Sequence, residues 1–197
     1  MKKIKQWYKS IRGVIVNPRR FFSKIVADGD IEESMLKAFI YGLIGGILVL
    51  SLKLIGGATI TINSVFTAIV IVPVIAVALL FIGGGLMMLV SEITGGERDW
   101  EIAIKGLASI MFVYPTILVL NALAFNCTSL WMISLLCDTY VLFLFYNIGA
   151  YCMRGKKSNV IMVIAMLALF MATVYMTNYR IGWFMLKNAS AALACLL

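Results

Sequence analysis

The chain has 197 residues, of which 62% are hydrophobic and 13% charged, with a formal net charge of +8 and no histidine. A mean hydropathy of +1.00 leaves too little polar surface for a soluble domain, and the absence of histidine removes a Ser–His pair and an HExxH zinc site. The positive charge gathers ahead of the first long apolar run, which favours anionic inner-leaflet lipid over nucleic acid, because no groove-reading or base-stacking motif accompanies it.

At the start of the chain, Ile4, Trp7, Tyr8, Ile11, Val14 and Ile15 recur at three- and four-residue steps, with Lys5, Lys9 and Arg12 towards the other side. This spacing predicts an amphipathic helix. It suits the plane of the headgroups, and it equally suits packing on the protein's own cytoplasmic loops. Asn17-Pro18 reads as an N-cap followed by proline at the first helical position, opening a short second helix. Phe21, Phe22, Ile25 and Val26 fall to one side of it, with Arg19, Arg20 and Lys24 beside them, and it ends at Asp28-Gly29. Asp30 and Glu33 form a capping-box pattern at the start of the first membrane helix. The arm residues expected to meet lipid or a partner are Lys5, Trp7, Tyr8, Lys9, Arg12, Arg19, Arg20, Phe21 and Phe22.

Five long apolar runs follow, near Met35 to Gly56, Ile62 to Val90, Ile102 to Phe125, Leu130 to Met153 and Asn159 to Thr177. Each approaches or exceeds the roughly 20 residues a helix needs to cross the hydrocarbon core. Lys and Arg fall in alternate gaps: before the first run, at Arg98 and Lys105, and at Arg154, Lys156 and Lys157, whereas Gly57 to Thr61 and Asn126 to Ser129 carry none. The positive-inside rule therefore predicts a multi-pass protein of the cell membrane. Its N-terminus and the loops Thr94 to Glu101 and Arg154 to Ser158 are cytoplasmic, and its C-terminus lies outside. The expected architecture is an all-α membrane bundle of five transmembrane helices preceded by short amphipathic interfacial helices. Residues 1–30 form the arm, 31–180 the bundle and 181–197 an outer tail. The first run starts too far from Met1 and is too long for a signal-peptide core, so it is expected to remain as an anchor.

Within the bundle, Gly42, Gly45 and Gly46 of the first run and Gly83, Gly84 and Gly85 of the second lie at similar depth counted from the cytoplasmic ends. They predict close packing of the first two helices in their inner halves; a flexible break at the triplet is the other reading. Pro73 and Pro115 fall near mid-membrane, where each removes a backbone hydrogen bond and strains the carbonyl four residues earlier. Asp138 is the acidic residue deepest in an apolar run. It reads either as structural glue, bonding Tyr114, Lys53 or a carbonyl freed by Pro115, or as a proton or ion relay. Asn147 falls on a different face of the same helix.

Nothing in the chain assembles a catalytic set: Asp138 has no second intramembrane acid beside it, and Glu92, Glu97, Asp99 and Glu101 are interleaved with Arg98 and Lys105 as in a solvated loop. Cys127, Cys137, Cys152 and Cys195 show neither a CxxC pair nor metal-ligand spacing, so neither a metal nor a cofactor is expected. Asn188-Ala189-Ser190 is a glycosylation sequon on the predicted outer side.

Asn17 to Phe22, Gly95-Gly96 followed by Trp100, the Tyr114-Pro115 pair and the five-span layout together resemble the Yip family, the Ypt-interacting proteins, in its bacterial and archaeal branch. Eukaryotic members of that family bind prenylated Rab-type small GTPases in vesicle traffic. This chain lacks their Asp-Leu-x-Gly-Pro segment and the full Gly-Tyr-x-x-x-Pro motif, so the resemblance implies a membrane scaffold or adaptor and no more. The expected function is non-enzymatic: contact with anionic lipid and with a protein partner, or with a second copy, through the cytoplasmic face. The alternative is a small transporter or permease component using Asp138.

Overall fold

The computed structural model describes residues 2–25, 31–57, 59–126 and 131–169. The expected turn at Asp28-Gly29, the Asp30 cap, Cys127, Cys195, Asn188, the end of the fifth run and the tail lie outside the described residues, as do the side chains of Lys5, Tyr8 and Lys9.

Among the described residues the fold is entirely helical. Helix α1 (Lys2–Val16) and the short α2 (Pro18–Phe22) form the arm, and α3 (Ile31–Ile55) is the first long helix. A second long helix comprises α4 (Ile62–Phe66), a π-helical turn (Thr67–Ile71) and α5 (Val72–Thr94). The third run contains α6 (Trp100–Ala108), a 3₁₀ turn (Met111–Val113) and α7 (Tyr114–Asn126). Helix α8 (Trp131–Asn147) ends in a second π turn (Ile148–Cys152), and α9 (Lys157–Leu169) begins the fifth run.

Within the described residues, Ile31–Ile55, Ile62–Thr94 and Trp100–Leu123 are long and apolar enough to cross a membrane, while Leu136–Cys152 and Lys157–Leu169 are shorter apolar helices. The faces of α5 show the solvent for which the fold is built. Ile75, Leu79, Ile82, Leu86, Leu89 and Ile93 recur along one exposed stripe. Its buried stripe instead carries Pro73, Ala76, Gly84, Ser91 and Thr94 alongside Leu80 and Met87. Small and polar residues inside with branched aliphatics outside is the pattern of a helix packed in lipid; in water such an exterior would aggregate.

Both expected proline distortions are present, each in a different form. Pro73 is the second residue of α5, and the π turn immediately before it widens the helix where proline supplies no N–H and its ring would crowd the carbonyl four residues back. Pro115 is the second residue of α7, and the third run breaks ahead of it into the 3₁₀ turn. Local π and 3₁₀ windings re-pair backbone groups that lipid cannot satisfy.

Helix α3 packs between α5 and α7. A Cβ placed on Gly42 would come within 2.6 Å of the Pro73 Cα, one on Gly46 would strike the Ala68 carbonyl, and one on Gly45 would lie 3.3 Å from the Pro115 Cα. The first two long helices therefore pack closely, but the two glycine clusters do not meet. The triplet faces α6 instead: Gly83 lies against Leu107, Gly84 against Ile104 and Trp100, and Gly85 against Trp100. Counting depth from helix ends assumes level ends. The bundle seats Gly42 and Gly46 of α3 on the small residues Ala68, Pro73 and Ala76, and Gly45 on α7, leaving the triplet as a bed for α6. Helix α5 runs unbroken through it.

Candidate functional site at the arm end of the bundle

The turn after α5 begins with Gly95 at φ 71°, a left-handed conformation that favours glycine. Its N–H donates to the Glu92 carbonyl at 3.3 Å, and that of Gly96 donates to the Ser91 carbonyl at 2.8 Å, closing a Schellman cap. After four residues outside helix, Asp99 caps α6, its carboxylate accepting from the N–H groups of Glu101 (2.8 Å) and Ile102 (3.2 Å). Trp100 then stacks on Phe81 with ring centroids 6.3 Å apart.

This turn is joined to the loop after α8. The Glu97 N–H donates to the Met153 carbonyl at 2.8 Å, and the Lys156 N–H donates to the Thr94 carbonyl at 3.1 Å. Buried Ser91 donates through Oγ to the Glu97 carbonyl at 2.6 Å, and buried Thr94 donates through Oγ1 to the Ser91 carbonyl at 3.2 Å. Arg154, at φ 54°, pairs through Nη1 with Glu97 Oε1 at 2.6 Å, and Arg98 pairs with Glu92 at 3.1 Å. A side chain on Gly96 would hit the Met153 carbonyl, and one on Gly155 would come to 2.5 Å from Thr94 Oγ1. Two loops far apart in sequence thus form one hydrogen-bonded platform.

The arm folds onto the same end. Asn17 caps α2 as expected, its Oδ1 accepting from the Arg20 N–H at 3.2 Å with Pro18 at the start of the helix. The chain doubles back there, bringing the Phe21 ring beside Gly13. Helix α2 packs on α8 and on the π turn that leads into the platform. Val14 and Phe22 are fully buried in the core, and Trp7 lies against Tyr41 of α3 with a centroid separation of 6.3 Å and the Lys37 ammonium 5.9 Å from its ring. Much of the arm's apolar stripe is therefore spent on the protein itself. Phe22 is a core residue with no surface to offer lipid or a partner, whereas Ile15, Val16, Arg12, Arg19, Arg20 and Lys24 remain exposed.

Asp138 sits half-buried on α8, which packs against α7, the helix carrying Tyr114 and Pro115. Asn147 is fully buried at the end of α8; its Nδ2 donates to the Phe143 carbonyl at 2.7 Å, while Oδ1 has no partner among the described residues. Asp138 and Asn147 lie about two and a half turns apart, on opposite faces of the helix.

Sequence reasoning did not single out Ser91, Thr94 and Gly155, which hold the two loops together. Their local signal is a Ser and a Thr just before Gly95-Gly96, and a glycine after Arg154; the pairing of the loops is long-range.

Apolar helix exteriors, re-paired helix breaks and small-residue seams define a helical membrane protein. A comparison with protein families matches the Yip1 domain over residues 12–178, and the chain belongs to that family. No curated protein and no solved structure matches it in the corresponding comparisons.

Proposed function

We propose that the protein is a non-enzymatic, five-span protein of the cell membrane, with its N-terminus cytoplasmic and its C-terminus outside. In this reading it acts as a scaffold or adaptor that holds anionic lipid and a protein partner at its cytoplasmic face. The observation that carries it is the juxtaposition at one end of the bundle of the loop platform and an ordered arm. That arm leaves Arg12, Arg19, Arg20 and Lys24 exposed. The two loops assigned to the cytoplasm by their charge bond to each other, as a shared side of the membrane requires. A rigid platform beside a cationic arm suits docking.

Native mass spectrometry of the full-length protein in lipid nanodiscs, with and without Arg12, Arg19, Arg20 and Lys24 changed to Gln, tests this reading. Bound anionic lipid and a stoichiometric protein should both be depleted in the variant. Unchanged retention of both would overturn the adaptor reading.

The transporter reading draws support from the non-α turns Thr67–Ile71, Met111–Val113 and Ile148–Cys152 among the described residues and from half-buried Asp138. It requires solute or proton flux in proteoliposomes that Asp138→Asn abolishes. The adaptor reading expects no such flux and full partner retention in that variant.

A further inference from the structure

The doubling-back at Asn17 creates a groove of about 690 Å³ between α1 and α2. Arg12, Arg20 and Lys24 line it together with Val16, Phe21 and Ile25. The ion pairs among the described residues engage other cations, namely Lys37, Arg98, Lys105 and Arg154, so three positive charges share one concavity whose lining, among the described residues, holds no carboxylate. Their apolar neighbour Val16 is 72% exposed. An occupant that satisfies both features brings negative charge and hydrocarbon together.

The placement of the groove selects the same chemistry. Helix α2 rests on the end of α8, and α1 is fastened to α3 by the Trp7–Tyr41 contact with Lys37 over the indole. Tryptophan, tyrosine and lysine in one cluster mark the headgroup level of a bilayer. Arginine forks match phosphate oxygens in pairs, and a lysine adds a mobile point charge. The groove walls are held by the Asn17 cap and by Phe21 against Gly13.

We propose that this groove is a site for one anionic glycerophospholipid of the inner leaflet. Arg12, Arg20 and Lys24 hold its phosphate, and Val16, Phe21 and Ile25 take the upper part of an acyl chain. The inference rests on the membrane reading above and narrows its lipid contact from a charged surface to a single stoichiometric site.

The test is titration of the full-length protein in neutral detergent with dioleoylphosphatidylglycerol, with bound lipids counted by native mass spectrometry. One lipid should bind ahead of the rest. The triple change Arg12→Gln, Arg20→Gln and Lys24→Gln should weaken that event on the order of 100-fold, at roughly fivefold per cation. A charge-matched triple change at Arg98, Lys156 and Lys157 should weaken it less than about threefold, because those groups lie outside the groove. Val16→Asn, which keeps every charge, should also weaken it, and inorganic phosphate should not displace the lipid.

Equal losses in the two charge-matched triples would overturn the groove while leaving the anionic-lipid contact of the proposed function standing. Failure of the unaltered protein to bind phosphatidylglycerol would remove both. Displacement by inorganic phosphate would make this a free-phosphate site, and a dimer lost with the groove triple would make it a self-association surface; each overturns the lipid assignment.

Discussion

Gly96 and Ser91 show how much of the loop platform depends on atoms that no charge pattern reports. The Gly96 backbone passes so close to the Met153 carbonyl and Ser91 Oγ that a methyl group has no room. Gly96→Ala should therefore cost about 1–3 kcal/mol, as overpacking of rigid neighbours does. It should also accelerate amide hydrogen exchange at Glu97 and Lys156, whose N–H groups bond across the two loops. Unaltered exchange at both positions would mean that the loops open independently. The exposed Arg154–Glu97 pair is a different matter: Glu97→Gln should change thermal stability by less than about 1 kcal/mol, because an exposed ion pair contributes little beyond its desolvation and ordering costs. In the arm, burial separates neighbours that look alike. Phe22→Ala should cost about 3–5 kcal/mol in thermal denaturation, the usual range for removing a buried ring. Arg19→Gln next to it should leave stability unchanged.

At the scale of helices, the seam between α3 and its neighbours depends on close backbone approach. Gly46 lies directly on the Ala68 carbonyl in the π turn, so the turn that relieves Pro73 also forms the surface that α3 requires. Gly46→Leu should displace α3 from this turn and lower the melting temperature strongly, by at least the roughly 3 kcal/mol at the upper end of overpacking effects. Gly85→Ala should be tolerated, since a Cβ there would meet only Trp100 at 3.8 Å. A melting temperature that responds equally to both would deny the α3–α5 seam its special role. The proline breaks were legible from sequence because proline acts on its own backbone and on the carbonyl four residues before it. The partner of each glycine was not legible, because helix sliding is decided by how two surfaces interlock.

For the molecule as a whole, the proposed threading rests on the distribution of Lys and Arg and can be measured directly. With Cys127, Cys137, Cys152 and Cys195 replaced by alanine, a membrane-impermeant thiol reagent applied outside intact cells should label Gly57→Cys. Lys156→Cys and Arg98→Cys should become labelled only after the inner face is opened. Labelling of Lys156→Cys from the outer side would invert the proposed orientation and move the arm, the platform and the lipid groove to the other surface together. That shared fate follows from the contacts of α2 with the end of α8 and from the bonds between the loops.

The sequence by itself determined that this is a helical membrane protein, and its motif order pointed to the Yip family, because hydropathy, capping and proline effects act within a few residues along the chain. The Asn17 cap of α2 and the distortions near Pro73 and Pro115 belong to that local class. Only the tertiary structure decided that Phe22 faces the core, that Gly83 to Gly85 seat α6, and that the loops after α5 and α8 form one platform beside a cationic groove. Those outcomes depend on which surfaces fill one another's gaps between segments distant in sequence. In lipid, close packing and backbone pairing choose among surfaces that hydropathy alone leaves equivalent.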